Sequence, residues 1–182
     1  MIFTRLPLSG AYRVETEPRS DARGTFARMF CVDEFAAHGL NTEWVQSNLS
    51  VTIERGTLRG MHFQRPPALE CKLVRCSKGA VFDVIADLRA GSPTFGQWVG
   101  EELDAERRSA LYVPGGCAHG FQTLTADAEV FYLHSARYSS EHEGGVLWSD
   151  PDLGIEWPLP AKNLSGRDMS FPRLKELEPI RL

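Results

Sequence analysis

A succession of short strand-forming runs, each closed by turn chemistry, constrains this chain most. The runs are Tyr12–Thr16, Thr25–Cys31, Trp44–Ile53, Thr57–Gln64, Cys71–Cys76, Ala80–Leu88, Gln97–Leu103, Ser109–Val113, Gly120–Leu124 and Glu129–His134. Between them stand Arg65-Pro66-Pro67, Lys78-Gly79, Gly91-Ser92-Pro93, Pro114-Gly115-Gly116 and Thr125-Ala126-Asp127. Proline removes a backbone donor and glycine supplies turn conformations, so these residues end strands. The pattern predicts a mostly antiparallel sandwich or barrel. A short helix is predicted over Val32–His38, with Asp33 as N-cap and Gly39 as stop. Another helical turn is expected over Asp104–Arg107. The Pro-rich tail after Asp150 is expected to be mostly irregular, with residues 151–182 wrapping the barrel or extending toward a partner subunit.

A chain of 182 residues can bury one full core, which predicts one domain. The net charge is -4 and no long basic run occurs, so nucleic-acid binding has little support. A few well-placed Arg or Lys suffice for a phosphorylated ligand. The cysteines, Cys31, Cys71, Cys76 and Cys117, form no C-x-x-C pair, which argues against a structural zinc site. No signal peptide and no long apolar run are seen. The expected setting is the cytoplasm, with reduced thiols and no membrane contact.

Polar residues inside apolar runs carry the chemical information. In Leu58-Arg59-Gly60-Met61-His62-Phe63-Gln64, strand alternation puts Leu58, Gly60, His62 and Gln64 on one face and Arg59 on the other. If Arg59 and His62 serve one site, the strand must twist or bulge near Gly60. Lys72 shares a face with Val74 and Cys76, which points its ammonium inward, where it needs a partner or an anionic ligand. Tyr132 shares a face with Val130 and His134. The Gly-rich turn Pro114-Gly115-Gly116 delivers His119 to a strand start. Taken singly, each has an ordinary reading: His62 as a satisfied structural histidine, Lys72 as a solvated edge residue, Tyr132 as core with its hydroxyl at the rim. His119 alone could bond a turn, and Arg59 alone could be a surface charge.

Together the segments resemble the dTDP-4-dehydrorhamnose 3,5-epimerase family. The similar motifs are Asp21-Ala22-Arg23-Gly24-Thr25-Phe26, Gln46-Ser47-Asn48-Leu49-Ser50, Leu58 to Gln64, Lys72-Leu73-Val74-Arg75-Cys76 and Val81-Phe82-Asp83-Val84. They continue with Ser92-Pro93-Thr94-Phe95-Gly96, Ala118-His119-Gly120-Phe121 and Trp148-Ser149-Asp150-Pro151. The resemblance implies a mainly β, cupin-like jelly-roll barrel in a homodimer. It implies epimerisation at carbon 3, carbon 5 or both of a nucleotide-linked 4-keto-6-deoxyhexose, with no metal or organic cofactor. By resemblance His62 is the base, Asp168 its orienting carboxylate, Lys72 the group that stabilises the enolate oxygen, and Tyr132 the acid on the far face. Arg23 and Arg59 match pyrophosphate-binding residues; Gln46, Asn48 and His119 match sugar or phosphate contacts; Tyr138 and Glu143 match residues near the base; Arg167 stands at a usually basic position. Phe26 and Arg28 join the substrate-binding set.

The chain departs from the family pattern in three places. Arg28 stands where Glu is common, Leu133 replaces a frequent Lys after the Tyr, and Glu70-Cys71 precedes Lys72 where small or amide residues are common. Two rival readings use the same barrel. A metal-dependent cupin would use Pro114-x-Gly116-x-x-His119, but the comparable strand offers one His in place of His-x-His. A non-catalytic sugar-nucleotide binder would not need an acid and a base on opposite faces.

Overall fold

The computed structural model describes residues 1–182. Thirteen strands appear in chain order: β1 Ile2–Arg5, β2 Tyr12–Glu15, β3 Arg19–Asp21, β4 Gly24–Phe26, β5 Gln46–Thr52, β6 Leu58–Gln64, β7 Lys72–Lys78, β8 Ala80–Asp87, β9 Trp98–Asp104, β10 Ala110–Val113, β11 Cys117–Thr123, β12 Ala128–His134 and β13 Glu143–Gly145. Helix α1 spans Val32–Ala37, α2 spans Gly166–Ser170, and a 3-10 turn covers Leu174–Glu176.

Two antiparallel sheets make the body. One has the order β1-β2-β10-β7-β12-β5 and the other β13-β6-β11-β8-β9, with β3 and β4 forming a separate hairpin. Val74, Cys76 and Val130 from the first sheet meet Val81, Ile85, Leu103 and Phe121 from the second in a buried apolar core. The cavity strands are polar at one end and apolar further along. On β7, Lys72 precedes Val74 and Cys76; on β12, Tyr132 and His134 follow Val130. The core therefore fills one part of the space between the sheets and leaves a polar cavity in another.

Apolar side chains cover part of each outer face. Phe35 of α1, Leu40 and Trp44 pack on Tyr12, Leu73 and Tyr112 of the six-stranded sheet. The tail covers the other sheet: Val146, Leu153, Ile180 and Trp157 pack on Met61, Phe63, Val84 and Ala118. Residues 151–182 thus wrap the barrel. Burying those apolar side chains contributes about 1.5–3 kcal/mol each, enough to hold an extended tail in place.

Several local expectations are corrected. The strand expected over Thr25–Cys31 stops at Phe26. Beyond it, the Arg75 guanidinium donates to the Met29 carbonyl at 2.8 Å, and Phe30 packs on Phe35 at 4.9 Å between ring centroids, so the segment turns toward α1. The helix N-cap is Cys31, not Asp33, because the Phe35 N–H bonds the Cys31 carbonyl and places Asp33 inside the first turn. Residues Asp104–Arg107 form no helix. The Asp104 carboxylate accepts the N–H of Glu106 and of Arg107 at 2.9 and 2.7 Å, a side-chain turn that competes with helical bonding. Strand β11 starts at Cys117, before the expected Gly120. The tail is less irregular than expected: Ser165 caps α2 by accepting the Asp168 N–H at 3.0 Å.

The Ser92-Pro93-Thr94 motif has a structural role. Ser92 and Thr94 hydroxyls each donate to Asp87 at 2.6 Å, and Arg89 pairs with the same carboxylate at 2.7 Å. Burial alone would push the Asp87 carboxyl up, but the Arg89, Ser92 and Thr94 bonds outweigh it and bring it down to about 2.

Candidate active site

The site begins with an irregularity in β6. His119 on β11 faces His62, yet Phe121 faces Arg59, so one strand carries an extra residue between the two pairs. Gly60, at φ +135°, makes this bulge possible. A Cβ there would meet the Gly120 Cα at 2.6 Å. The bulge reverses alternation and turns Arg59 to the same side as His62. Arg59 Nε donates to Thr52 Oγ1 at 3.2 Å, on the inward face of β5, and its charge acts on Tyr132.

The bulge also frees the Gly60 N–H, which needs an acceptor. Asp168 supplies it: Oδ2 accepts from Gly60 at 3.2 Å while Oδ1 lies 2.8 Å from His62 Nε2. Helix α2 sets this carboxylate in place through the Ser165 cap. A carboxylate at Nε2 fixes the ring proton there and leaves Nδ1 with its lone pair. Burial pushes the Asp168 carboxyl up; the His62 bond and charge and the Gly60 N–H outweigh it, and the net shift is downward. The Phe171 ring packs edge-on to His62 at 5.7 Å.

A cavity of about 280 Å³ opens beside this pair. His62 and His119 line it from the five-stranded sheet, and Lys72, Tyr132, Gln46 and Asn48 line it from the six-stranded sheet. Lys72 Nζ lies 3.3 Å from Glu70 Oε1. The Tyr132 ring meets His119 edge-on at 5.8 Å and stacks on His134 at 5.8 Å. Burial, then the Asp83 charge, hold the Tyr132 phenol well above its ordinary value, with Arg59 acting the other way. Tyr132 is therefore protonated at neutral pH. At the rim, Tyr138 donates to Glu143 at 2.9 Å and Arg167 pairs with Glu143 at 2.6 Å. Arg167 also comes within 3.5 Å of His62 Nε2.

The structure thus gathers His62, Lys72, Tyr132, Asp168, Gln46, Asn48, His119, Tyr138, Glu143 and Arg167 in or beside one cavity, with Arg59 turned to the same interior. Arg23, Phe26 and Arg28 lie outside it. Arg23 bonds Asp21 on the β3–β4 hairpin, Phe26 is 74% exposed, and Arg28 pairs with Glu34 of α1 at 2.8 Å.

Three participants were not among the candidate site residues of the sequence. Asp83 contacts His119 Nε2 at 2.9 Å; its signal was a carboxylate among the apolar residues of β8. Glu70 and His134 join Lys72; the signal of His134 was its alternation with Tyr132, and that of Glu70 its departure from the family pattern before Lys72. No group of three or more His, Cys, Asp or Glu side chains is arranged to hold a metal ion. No helix is long and apolar enough to cross a membrane.

The same fold, with a similar sequence, recurs in known proteins. The family described as dTDP-4-dehydrorhamnose 3,5-epimerase matches residues 5–176. A dTDP-4-dehydrorhamnose 3,5-epimerase of Sinorhizobium fredii is 43% identical over 97% of this chain and 91% of its own. The crystal structure of a 4-keto-6-deoxy sugar epimerase of Streptomyces spheroides, from the novobiocin biosynthetic gene cluster, superposes with TM-score 0.92 at 42% identity, over 97% of this chain and 88% of its own. A 3'-monoepimerase of Streptomyces bikiniensis in complex with dTDP-quinovose gives TM-score 0.89 at 39% identity, over 97% and 91%. With its jelly-roll sheets, its His62–Asp168 pair and a family match over nearly its whole length, the chain belongs to the dTDP-4-dehydrorhamnose 3,5-epimerase family and is an isomerase.

Proposed function

We propose that the protein inverts carbon 3, carbon 5 or both of a nucleotide-linked 4-keto-6-deoxyhexose, with dTDP-4-keto-6-deoxyglucose as the first substrate to test. One observation carries this reading. A carboxylate-oriented imidazole on one sheet and a protonated phenol on the other line a single cavity that also holds a Lys ammonium.

The chemistry follows from the ketone at carbon 4. It acidifies the protons on both neighbouring carbons, because the electron pair left behind delocalises onto oxygen as an enolate. His62 Nδ1 takes the proton and becomes an imidazolium stabilised by Asp168. Lys72 meets the oxygen as negative charge develops there. Tyr132 returns a proton to the carbon from the other face, leaving a phenolate. Both side chains then recover their starting states by proton exchange with solvent. These steps call on no cofactor.

We place the pyrophosphate at Arg59 and assign Arg23, Phe26 and Arg28 to a partner subunit's site in a homodimer. The edge strand β5 supports this. Leu49 and Val51 of β5 stand exposed, as do the flanking Val45 and Ile53, and Phe26 and Met29 are exposed as well. An unpaired apolar edge of this kind is a pairing surface. The cysteines are free, and we place the protein in the cytoplasm. The whole chain acts as one epimerase domain in this reading.

NMR of the reaction in deuterated water tests it, with several nucleotide-linked 4-keto-6-deoxy sugars as substrates. Deuterium at carbon 3, carbon 5 or both, with inversion, is expected. Absence of exchange across that panel rejects the epimerase reading in favour of simple binding.

A further inference from the structure

Opposite the His62–Asp168 pair, the cavity wall carries a polar chain that has no part in the proton transfers. The Tyr138 backbone N–H donates to Gln46 Oε1 at 3.1 Å, so the Gln46 amide nitrogen is the end that reaches Asn48 Oδ1 at 3.2 Å. The Asn48 nitrogen then donates to His134 Nε2 at 3.2 Å. His134 must therefore carry its proton on Nδ1, which donates to Glu70 Oε2 at 2.8 Å. Every donor in the chain points toward Glu70. The other carboxylate oxygen, Oε1, is left for Lys72 Nζ at 3.3 Å.

Glu70 is the only ion-pair partner of Lys72. Burial alone would raise the Glu70 carboxyl, but the His134 bond and the Lys72 charge bring it below the ordinary range, so it is ionised. A lysine side chain has four rotatable bonds and its ammonium is a point charge without directional preference. A carboxylate on a flexible side chain would not fix it. Here the second carboxylate oxygen is fixed by an imidazole from another strand, and that imidazole is fixed by β5.

We propose that Glu70 is a positioning residue for epimerisation. Together with His134 it pins the Lys72 ammonium at one point of the cavity wall, with N–H bonds left over for the ketone oxygen. This rests on the epimerase reading above. Because Lys72 gains most from charge that exists only in the transition state, the loss of its anchor falls on kcat more than on KM.

The test uses the full chain, dTDP-4-keto-6-deoxyglucose and the rate of deuterium incorporation from solvent. Glu70→Gln keeps shape and removes the charge; kcat is expected to fall about 10- to 100-fold with KM within about 3-fold. Glu70→Asp, which keeps the charge, recovers part of the loss. His134→Gln costs less, about 3- to 10-fold, because Lys72 keeps its counter-ion. Adding Glu70→Gln to Lys72→Met is expected to cost less than about 2-fold more, since two residues acting through one group are not additive. Thermal unfolding of each variant separates lost activity from lost fold. A Glu70→Gln protein that keeps kcat within about 2-fold, or equal losses with and without Lys72, overturns the positioning role while wild-type exchange leaves the epimerase reading standing. A wild-type protein that exchanges nothing overturns both.

Discussion

Two imidazole–carboxylate pairs sit side by side on neighbouring strands, and they do different work. His62 and His119 face each other in the β6–β11 register, each with a carboxylate within 2.8–2.9 Å of Nε2. The His62 side chain is 26% exposed to the cavity; that of His119 is 5% exposed. Asp168 comes from the tail and divides its oxygens between His62 and a backbone N–H. Asp83 comes from the adjacent strand β8, and both of its oxygens lie within 3.0 Å of His119. The difference lies in mounting and access. His62 lines the cavity, and with Asp168 at Nε2 its Nδ1 is the nitrogen left with a lone pair, the condition for taking a proton from carbon. His119 is closed in under the Tyr132 ring, and the Asp83 charge raises the phenol above it. In the proposed reaction the first pair moves a proton, and the second adds to the burial that holds the Tyr132 acid protonated.

The largest expected effect is that of His62→Ala. If this pair supplies the base, deuterium exchange at both carbons falls by about 10⁴-fold, read by NMR under saturating substrate. Residual exchange at one carbon only would reveal a second base, and His119 would be the first suspect. Asp168→Asn is expected to cost about 10²- to 10³-fold in kcat. The amide cannot impose the same ring tautomer while also accepting the Gly60 N–H. An Asp168→Asn protein working at the wild-type rate would show that β6 alone orients His62.

Tyr132→Phe separates the two halves of the reaction. Proton abstraction, measured as deuterium exchange, should stay within about 3-fold, while net inversion falls about 10- to 100-fold. Equal loss in both would make Tyr132 an electrostatic or structural partner of the base and remove the assigned division between the pairs.

How much of this was legible in the sequence differs by region. Regular strands were readable because side-chain alternation and turn residues are local signals; β5 to β8, β10 and β12 fell close to their expected positions. Strand β13, Glu-Gly-Gly, has no strand propensity of its own and is held by pairing with β6. The bulge at Gly60 could be named only as a condition, because its cause is the close approach of Gly120 from another strand. Helix α2 had a local cue in Ser165 and Asp168 three residues apart, and the surrounding prolines obscured it. Arg23, Phe26 and Arg28 came from motif resemblance alone. One chain folds Arg23 and Phe26 on a hairpin and Arg28 just beyond it, away from the cavity, which no strand pattern could report. Glu70 and His134 are far apart in sequence, and their contact is a product of tertiary structure.

The smallest expected effect tests the second pair most directly. Asp83→Asn removes a negative charge that raises the Tyr132 phenol, so the phenol should ionise at lower pH. Above that pH the acid is already deprotonated and cannot return a proton to carbon. The alkaline limb of kcat for inversion is therefore expected to move to lower pH. The move should be partial, because burial, the larger cause, stays in place. Exchange at neutral pH should change little, since His62 and Asp168 are untouched. The measurement is a pair of pH–rate profiles, one for exchange and one for inversion, on wild-type and variant proteins of equal thermal stability. An inversion limb that does not move would remove Asp83 from the electrostatics of the acid. A limb that moves equally in exchange and inversion would mean that the two pairs share one titrating network and that His62 does not act alone.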